Sequence, residues 1–248
     1  MQVSDRGLVA LMQHEGIVPG PYMDSVNVPT YGIGHTAAAG APDPADLPVG
    51  MPADLDRALA EVAAVFRRDL ARYTEDVLVA VRVDLAPHEL DALVSFHYNT
   101  GAIAKASLTE ALNAGDRARA GALFLSWKKP AEIIPRRTAE RDLFLHGTYP
   151  KGPVSVWQVD SRRRVIWTPA RTLSAAEALT LVAGDAAAPV GPLAYGSRDS
   201  RNRTIQTVLN DMGLYARTID DRWGPGQQAA LDDLAARNAR IKSLIHGE

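Results

Sequence analysis

Apolar residues recur at helical spacing along most of the chain. The first such run, residues 4–12, begins with Ser4, a residue type that caps helices, and Gly16 follows it as a stop signal. The spacing returns over residues 55–73 and again behind Pro87, which suits the first turn of a helix. Shorter helices are predicted at about 107–113, 116–127 and 135–146. This pattern predicts a mainly α domain of the α+β class.

Two segments have a different pattern. Residues 22–35 mix β-formers with turn residues and predict a short irregular hairpin, and residues 37–52, rich in Ala, Pro, Gly and Asp, predict a loop. Residues 157–167 predict two strands around a basic turn, which is followed by a short helix at 174–182. The arginines of that turn serve either the turn itself or the attachment of an anionic polymer, and we favour the turn: Arg162, Arg163 and Arg164.

The sequence pattern of the C-terminal quarter predicts a separate helical unit. Residues 184–192 are rich in Ala, Gly and Pro and predict a linker. Two amphipathic helices follow, with their apolar positions at Ile205, Val208, Leu209 and Met212 and at Ala230, Leu231 and Leu234. The chain is therefore divided into a domain at 1–150, a connecting hairpin, helix and linker at 151–192, and a small domain at 193–248.

Composition excludes several classes of protein. The 27 basic and 29 acidic residues give a net charge of −2, so no basic field recruits nucleic acid. No apolar run is long enough for membrane insertion, and the N-terminus has no pattern of a secretory signal. The absence of cysteine excludes disulfides, thiolate metal sites and cysteine nucleophiles. We expect a monomer that is made in a cytoplasm and needs no cofactor.

One pair of carboxylates stands in an unusual context. Glu15 falls at the end of the first helix, where the helix macrodipole disfavours an anion. Asp24 and Thr30 flank the turn of the predicted hairpin, so both side chains can converge opposite Glu15. A carboxylic acid facing a carboxylate across a cleft is the arrangement that glycosidic cleavage requires.

The spacing of these residues resembles the signature of the phage-type lysozymes, glycoside hydrolase family 24. The string E-x8-D-x5-T-x-G-x-G-H-T is present as Glu15, Asp24, Thr30, Gly32, Gly34, His35 and Thr36. The likeness continues through FHYNTG at 96–101, ASLTEALNAGD at 106–116, Trp127 and RRTAERDLFLHG at 136–147. One departure is VNVPT at 26–30, where many members place glycines in the turn.

The resemblance implies a role for each matching residue. Glu15 corresponds to the general acid, Asp24 to the second carboxylate and Thr30 to the hydroxyl that positions water. The implied reaction is inverting hydrolysis of the β-1,4 bond between N-acetylmuramic acid and N-acetylglucosamine. Family positions that contact the sugar fall on Thr36, Tyr98 and Ser107.

Supporting residues are inferred around this site. We interpret His35 as a structural histidine with Asp69 as its charge partner by family analogy, because no metal-ligand spacing such as H-E-x-x-H surrounds it. Arg136 and Arg137 either form a solvated face, or one of them faces the cleft and hydrogen-bonds Glu15. Asn99 is interpreted as a helix-end residue.

The C-terminal segment is similar to the three-helix peptidoglycan-binding module of wall hydrolases. The likeness lies in residues 195–213 and 220–231, and it implies Tyr215 and Trp223 as aromatic residues that face the wall. The alternative is a helical tail that packs on the catalytic domain.

These resemblances predict an endolysin-like muramidase whose partner is bacterial peptidoglycan. It would accumulate in the host bacterial cytoplasm and depend on a separate holin to reach the wall. A zinc amidase or a serine esterase is disfavoured, because neither H-E-x-x-H nor G-x-S-x-G occurs. The alternative from another class is a non-catalytic wall-binding or virion structural protein.

Overall fold

The computed structural model describes residues 1–183, 205–207, 209–210, 212–216, 218, 222 and 224–246. The chain forms two compact units, Met1–Ala186 and Ala187–Glu248. The first unit is mainly α with two small antiparallel sheets, which is the fold class that the sequence pattern predicts. None of the described helices is both long enough and apolar enough to cross a membrane.

The helices of the first unit follow the predicted order. They are α1 (Asp5–Glu15), α2 (Leu55–Ala80), α3 (Pro87–Thr100), α4 (Ser107–Asn113), α5 (Arg117–Leu123), α6 (Ile134–His146) and α7 (Ala175–Ala183). The Ser4 hydroxyl caps α1 by accepting a hydrogen bond from the backbone N–H of Gly7 at 3.1 Å. Helix α1 ends where Gly16 adopts a left-handed backbone with φ +68°. The predicted helix at 116–127 is α5 followed by a 3₁₀ turn at Phe124–Ser126.

The first sheet has one strand more than the predicted hairpin. Its order is β1 (Val18–Met23), β2 (Pro29–Gly32) and β3 (His35–Thr36), all antiparallel. Tyr22 pairs with Thr30, and Thr30 pairs with Thr36. The sheet therefore carries the turn at Asp24 and the strand of Thr30 directly behind the end of α1.

The second sheet is the hairpin of β4 (Val154–Val159) and β5 (Val165–Leu173). This hairpin forms backbone hydrogen bonds with the residues at both ends of β1. The N–H of Ile17 donates to the carbonyl of Ser155 at 2.9 Å, and the N–H of Met23 donates to the carbonyl of Arg163 at 2.9 Å. The hairpin of the segment predicted as a connector is thus part of the first unit. Within its basic turn Arg164 pairs with Asp160 at 2.7 Å, and Arg163 donates to the carbonyl of Ala45 at 2.7 Å.

A single hydrophobic core joins these elements. It includes the apolar faces of α1, α2 and α3 together with the hairpin and α7, and its most buried members include Met12, Ile17, Phe66, Leu93, Phe96, Val154, Val156 and Ala178. The core fixes the end of α1 against the sheets, and this positions the carboxylates described next.

The second unit contains α8 (Pro225–His246) and a small core of Leu209, Tyr215 and Ala230, with Ile205, Leu214, Leu231 and Leu234 packed against it. Tyr215 is only 7% exposed and its hydroxyl donates to the carbonyl of Thr218 at 3.3 Å. Its assignment as a wall-facing aromatic is therefore corrected: the ring belongs to the core. Val208, Trp223 and the predicted linker at 184–192 lie outside the described residues.

Candidate active site

Glu15 is the last residue of α1, and its carboxylate is held by one arginine. Nη1 of Arg136 donates to Oε1 of Glu15 at 2.7 Å, and the side chains are only 9% and 16% exposed. The C-terminal end of a helix is unfavourable for an anion, so the guanidinium compensates both the helix macrodipole and the partial burial of the carboxylate.

Arg136 is itself held from three sides. Its Nε donates to Glu140 at 3.0 Å and its Nη2 donates to the carbonyl of Ser95 at 3.1 Å, in addition to its bond to Glu15. Burial opposes the charged guanidinium, but the two carboxylates outweigh it and raise the pKa of Arg136. A permanently charged fork shared by two carboxylates therefore fixes the position of Glu15.

Arg137, the next residue along α6, has a different structural role. Arg137 is 1% exposed and donates to Glu140 and to the side-chain oxygen of Asn99. Of the two arginines that the sequence proposed, Arg136 reaches Glu15, while Arg137 fixes Glu140, which is 0% exposed. The amide of Asn99 ties α3 to α6.

Asp24 lies in the turn between β1 and β2. Its Oδ1 accepts hydrogen bonds from the N–H groups of Val26 at 2.9 Å and Val28 at 2.8 Å. The turn does not need the glycines of the family pattern, because Asn27 adopts the left-handed conformation with φ +65°. The two N–H donors fix the orientation of the carboxylate.

Thr30 faces this turn from β2. It is 3% exposed, and its hydroxyl donates to the carbonyl of Val28 at 3.0 Å. The bond occupies the hydroxyl proton and leaves the oxygen lone pairs free to accept, as a residue that orients water requires. The role of Thr30 in positioning water stays a prediction.

Tyr22 is a site residue that sequence reasoning missed. Its pKa is raised well above the usual value by burial and by the charges of Glu15 and Asp24. Its phenol therefore lies in the field of both carboxylates, and its strand position opposite Thr30 places it beside the predicted catalytic groups. That position, two residues before Asp24, was the available signal.

The three predicted sugar-contact residues lie in different environments. Tyr98 is 8% exposed, and its hydroxyl donates to the carbonyl of Ile33 at 2.6 Å, so the phenol serves an internal bond. Thr36 is half-buried in β3, and Ser107 is exposed at the first turn of α4. Within the described residues, none of the three hydrogen-bonds Glu15 or Asp24, and their contact with sugar stays a prediction.

Gly34 approaches the carboxylate of Glu15 closely. It has φ +70°, and a Cβ atom there would lie 3.0 Å from Oε2 of Glu15 and 3.3 Å from the ring of Tyr98. The glycine therefore provides the space in which the carboxylate sits, in addition to the left-handed backbone.

We expect Gly34→Ala to lower kcat by up to about 100-fold, because the added Cβ would displace the Glu15 carboxylate by a few tenths of an ångström and strain the left-handed backbone, and a misplacement of a reacting group by about 1 Å costs about 100-fold. Gly101→Ala is the matched control, since Gly101 has φ +61° and no atom within 4 Å of the added Cβ. Steady-state hydrolysis of peptidoglycan measures the effect. Equal losses of activity in both variants would contradict a specific effect on Glu15.

His35 and Asp69 form a buried pair, as the family resemblance implied. Nδ1 of His35 lies 2.6 Å from Oδ2 of Asp69, and both side chains are 1% exposed. Nε2 of the same ring lies 2.8 Å from the carbonyl oxygen of Pro42. Burial opposes the charged ring, but the bonds to Asp69 and Pro42 outweigh it and raise the pKa of His35. The pair therefore fixes the loop that follows β3, and no group of metal-binding character surrounds it within the part of the chain described.

His14 makes the site region sensitive to acid. Burial, followed by the nearby charge of Arg136, lowers its pKa from 6.5 to about 4. As pH falls from 6.5 toward 4, the unfolded chain binds a proton at His14 that the folded chain does not bind. The folded state therefore loses stability over this window, by at most about 3 kcal/mol.

We expect His14→Gln to flatten this dependence, because glutamine does not titrate. Thermal unfolding of both proteins between pH 7 and 4 measures it, and the advantage of the variant should grow as pH falls. His88→Gln is the control at another histidine, on α3. Parallel pH profiles of wild type and His14→Gln would rule out this explanation.

An acidic residue at a helix end, a second carboxylate in the β1–β2 turn and a buried hydroxyl beside that turn are the groups expected of a glycoside hydrolase of the lysozyme class. The sequence model of the family described as phage lysozyme matches residues 12–140, just over half of the chain. The chain belongs to the phage lysozyme family.

Individual phage endolysins are similar to this chain. The endolysin of Salmonella phage P22 is 34% identical over 151 residues, which is 58% of this chain and 99% of that protein. A crystal structure of a mutant P22 lysozyme is 31% identical and covers 58% of this chain and 99% of its own, with a TM-score of 0.47. The endolysin from Escherichia coli O157:H7 phage FAHEc1 is 28% identical and covers 61% and 98%, with a TM-score of 0.49.

Proposed function

We propose that this lysozyme is a peptidoglycan-hydrolysing endolysin that cleaves the β-1,4 bond between N-acetylmuramic acid and N-acetylglucosamine. The observation that carries the proposal is the close approach of Gly34, between β2 and β3, to Glu15: a Cβ atom there would lie 3.0 Å from Oε2 of Glu15, so the sheet whose β1–β2 turn holds Asp24 packs at the end of α1. The two carboxylates therefore border one site, as hydrolysis of a glycosidic bond requires. Family membership and the 34% identical phage endolysin support the same activity.

In the proposed mechanism, Glu15 donates a proton to the leaving glycosidic oxygen. Arg136 orients the carboxyl and keeps Glu140 as a partner while Glu15 is protonated, so no charge in this network is left unpaired. The same arginine stabilises the carboxylate that forms when the proton has left.

Asp24 and Thr30 act on the other side of the bond. The Asp24 carboxylate, held by two N–H donors, stabilises positive charge at the anomeric carbon and aligns water, and the Thr30 hydroxyl accepts a hydrogen bond from that water. Water attacks the anomeric carbon opposite the leaving group and gives a proton to Asp24, which inverts the anomeric centre; proton exchange with solvent then returns Glu15 to its acid form and Asp24 to its carboxylate. Product of α-configuration from the first turnover is the expected result.

The proposal is tested by adding the purified protein to a suspension of sacculi and following turbidity. Mass spectrometry of the soluble products identifies the bond, since a muramidase releases fragments with N-acetylmuramic acid at the reducing end. Fragments with another reducing end, or free stem peptides, would contradict it. Co-sedimentation with sacculi without clearing would favour the non-catalytic wall-binding alternative.

The site of action follows from the endolysin assignment. We propose that the protein accumulates in the host bacterial cytoplasm, as a monomer, and needs a separate holin to reach the wall. The likeness to the P22 endolysin supports this role. Expression of the chain alone should leave cells intact, and prompt lysis would refute the dependence on a holin.

A further inference from the structure

Two tryptophans form a pair on the β4–β5 hairpin. The ring centroids of Trp157 and Trp167 are 5.3 Å apart with an interplanar angle of 75°, an edge-to-face contact. Trp157 is half-buried, but Trp167 is 75% exposed. The contact with Trp157 restricts a large aromatic surface that faces solvent, so little conformational entropy is lost when a ligand covers it.

The pair lies beside the proposed acid. The Trp157 indole packs on Gly16, the residue that follows Glu15, so closely that a Cβ on Gly16 would lie 2.5 Å from the indole Nε1. The backbone is joined at the same point, because the N–H of Trp157 donates to the carbonyl of Ile17 at 2.8 Å. The aromatic pair is thus continuous with the end of α1 that carries Glu15.

The strand pairing explains the exposure of Trp167. Strand β5 has 9 residues and β4 has 6. Trp157 pairs with Pro169 and Gln158 pairs with Ile166, so Trp167 and Thr168 have no partner in the register. Bulges of this kind change the direction of a side chain and are frequent next to active sites.

We propose that Trp157 and Trp167 form a sugar-stacking subsite that binds an N-acetylated hexose ring of the glycan strand next to the catalytic carboxylates. The faces of an indole carry negative charge, and they attract the weakly positive C–H groups on the face of a pyranose ring. The hairpin lies beyond residues 12–140, so the subsite is an addition to the part of the chain that matches the family model. The inference rests on the proposed function for the identity of its ligand.

The test measures binding separately from catalysis. In the full chain carrying Glu15→Gln, soluble glycan strands prepared from amidase-treated peptidoglycan are titrated by calorimetry. Addition of Trp167→Ala should raise Kd by about tenfold, which corresponds to about 1.4 kcal/mol. Trp167→Phe should restore part of the affinity, because a phenyl ring still stacks. Ile166→Ala is the matched control, since Ile166 is the adjacent exposed residue of β5, 43% exposed, and should bind as the parent does.

Equal Kd values for the Trp167→Ala protein and its parent would overturn the subsite, and so would equal losses in Trp167→Ala and Trp167→Phe. Thermal unfolding checks that the variants fold, and the conservative Phe variant decides the question if the Ala variant is unstable. Failure of the proposed function gives a different result. In that case the wild-type protein would not clear sacculi, whatever the glycan affinity of the Trp167 variants.

Discussion

Glu15→Gln should retain no more than a few per cent of wild-type turnover on sacculi. Glutamine has nearly the same shape, and its amide oxygen can still accept the hydrogen bond from Arg136. It cannot donate an acidic proton to the leaving oxygen, and general acid catalysis contributes about 100-fold to 10,000-fold in rate. Initial rates of turbidity loss at equal protein concentration measure the effect, with fragment analysis to detect residual cleavage.

The control for this variant is Glu61→Gln, at an exposed glutamate on α2 that pairs with Arg57 across one helical turn. It should keep full activity, because an exposed pair of this kind adds little stability. Thermal unfolding of Glu15→Gln separates lost chemistry from lost folding. Substantial turnover by a folded Glu15→Gln protein would mean that another group supplies the proton.

Local sequence signals were sufficient for most of the helical framework. Helix α4 spans Ser107–Asn113, the predicted range, and α6 begins and ends within one residue of its prediction at 135–146. Both are bounded by residues with direct backbone consequences. Pro135 favours the first turn of α6, and Gly147 ends it with φ +62°.

Long-range contacts were the part that the sequence did not provide. Which of Arg136 and Arg137 reaches Glu15 depends on how α6 is rotated against α1, and both residues are nearly fully buried. Tyr215 was predicted to face the wall as an aromatic residue of the C-terminal unit, whereas its ring belongs to the small core of that unit. A sequence pattern can show that a helix has an apolar face. It does not show which other element of the fold covers a given residue on that face.

The backbone hydrogen bonds of the β4–β5 hairpin to the residues at both ends of β1 were also unforeseen. Its residues alternate as a strand should, so the strands were predicted, but no local signal identifies the partner strand. The hairpin bonds Ile17, two residues after Glu15, and Met23, the residue before Asp24. Both carboxylates therefore depend on a segment that the sequence suggested was a connector.

A chain that ends at residue 150 should therefore fail to form a stable lysozyme domain, while one that ends at residue 186 should fold. The shorter chain loses Val154, Val156 and Leu173, which are at most 6% exposed in the common core. Each buried aliphatic side chain is worth about 1.5–3 kcal/mol. Together they approach the whole stability of a typical domain, about 5–15 kcal/mol. Solubility, circular dichroism and thermal unfolding of the two chains measure the difference.

The 186-residue chain should also separate the catalytic role of the first unit from the role proposed for the second. We expect it to cut small soluble glycan fragments at a rate close to that of the full chain, because the described site lies within residues 1–183. Its apparent affinity for intact sacculi should fall, since a second attachment point raises the local concentration of the enzyme on an insoluble polymer. Unchanged binding to sacculi would mean that residues 187–248 do not attach the enzyme to the wall. A stable and active chain ending at residue 150 would show instead that the bonds of the hairpin to Ile17 and Met23 are dispensable, and that α1 and the first sheet hold both carboxylates without them.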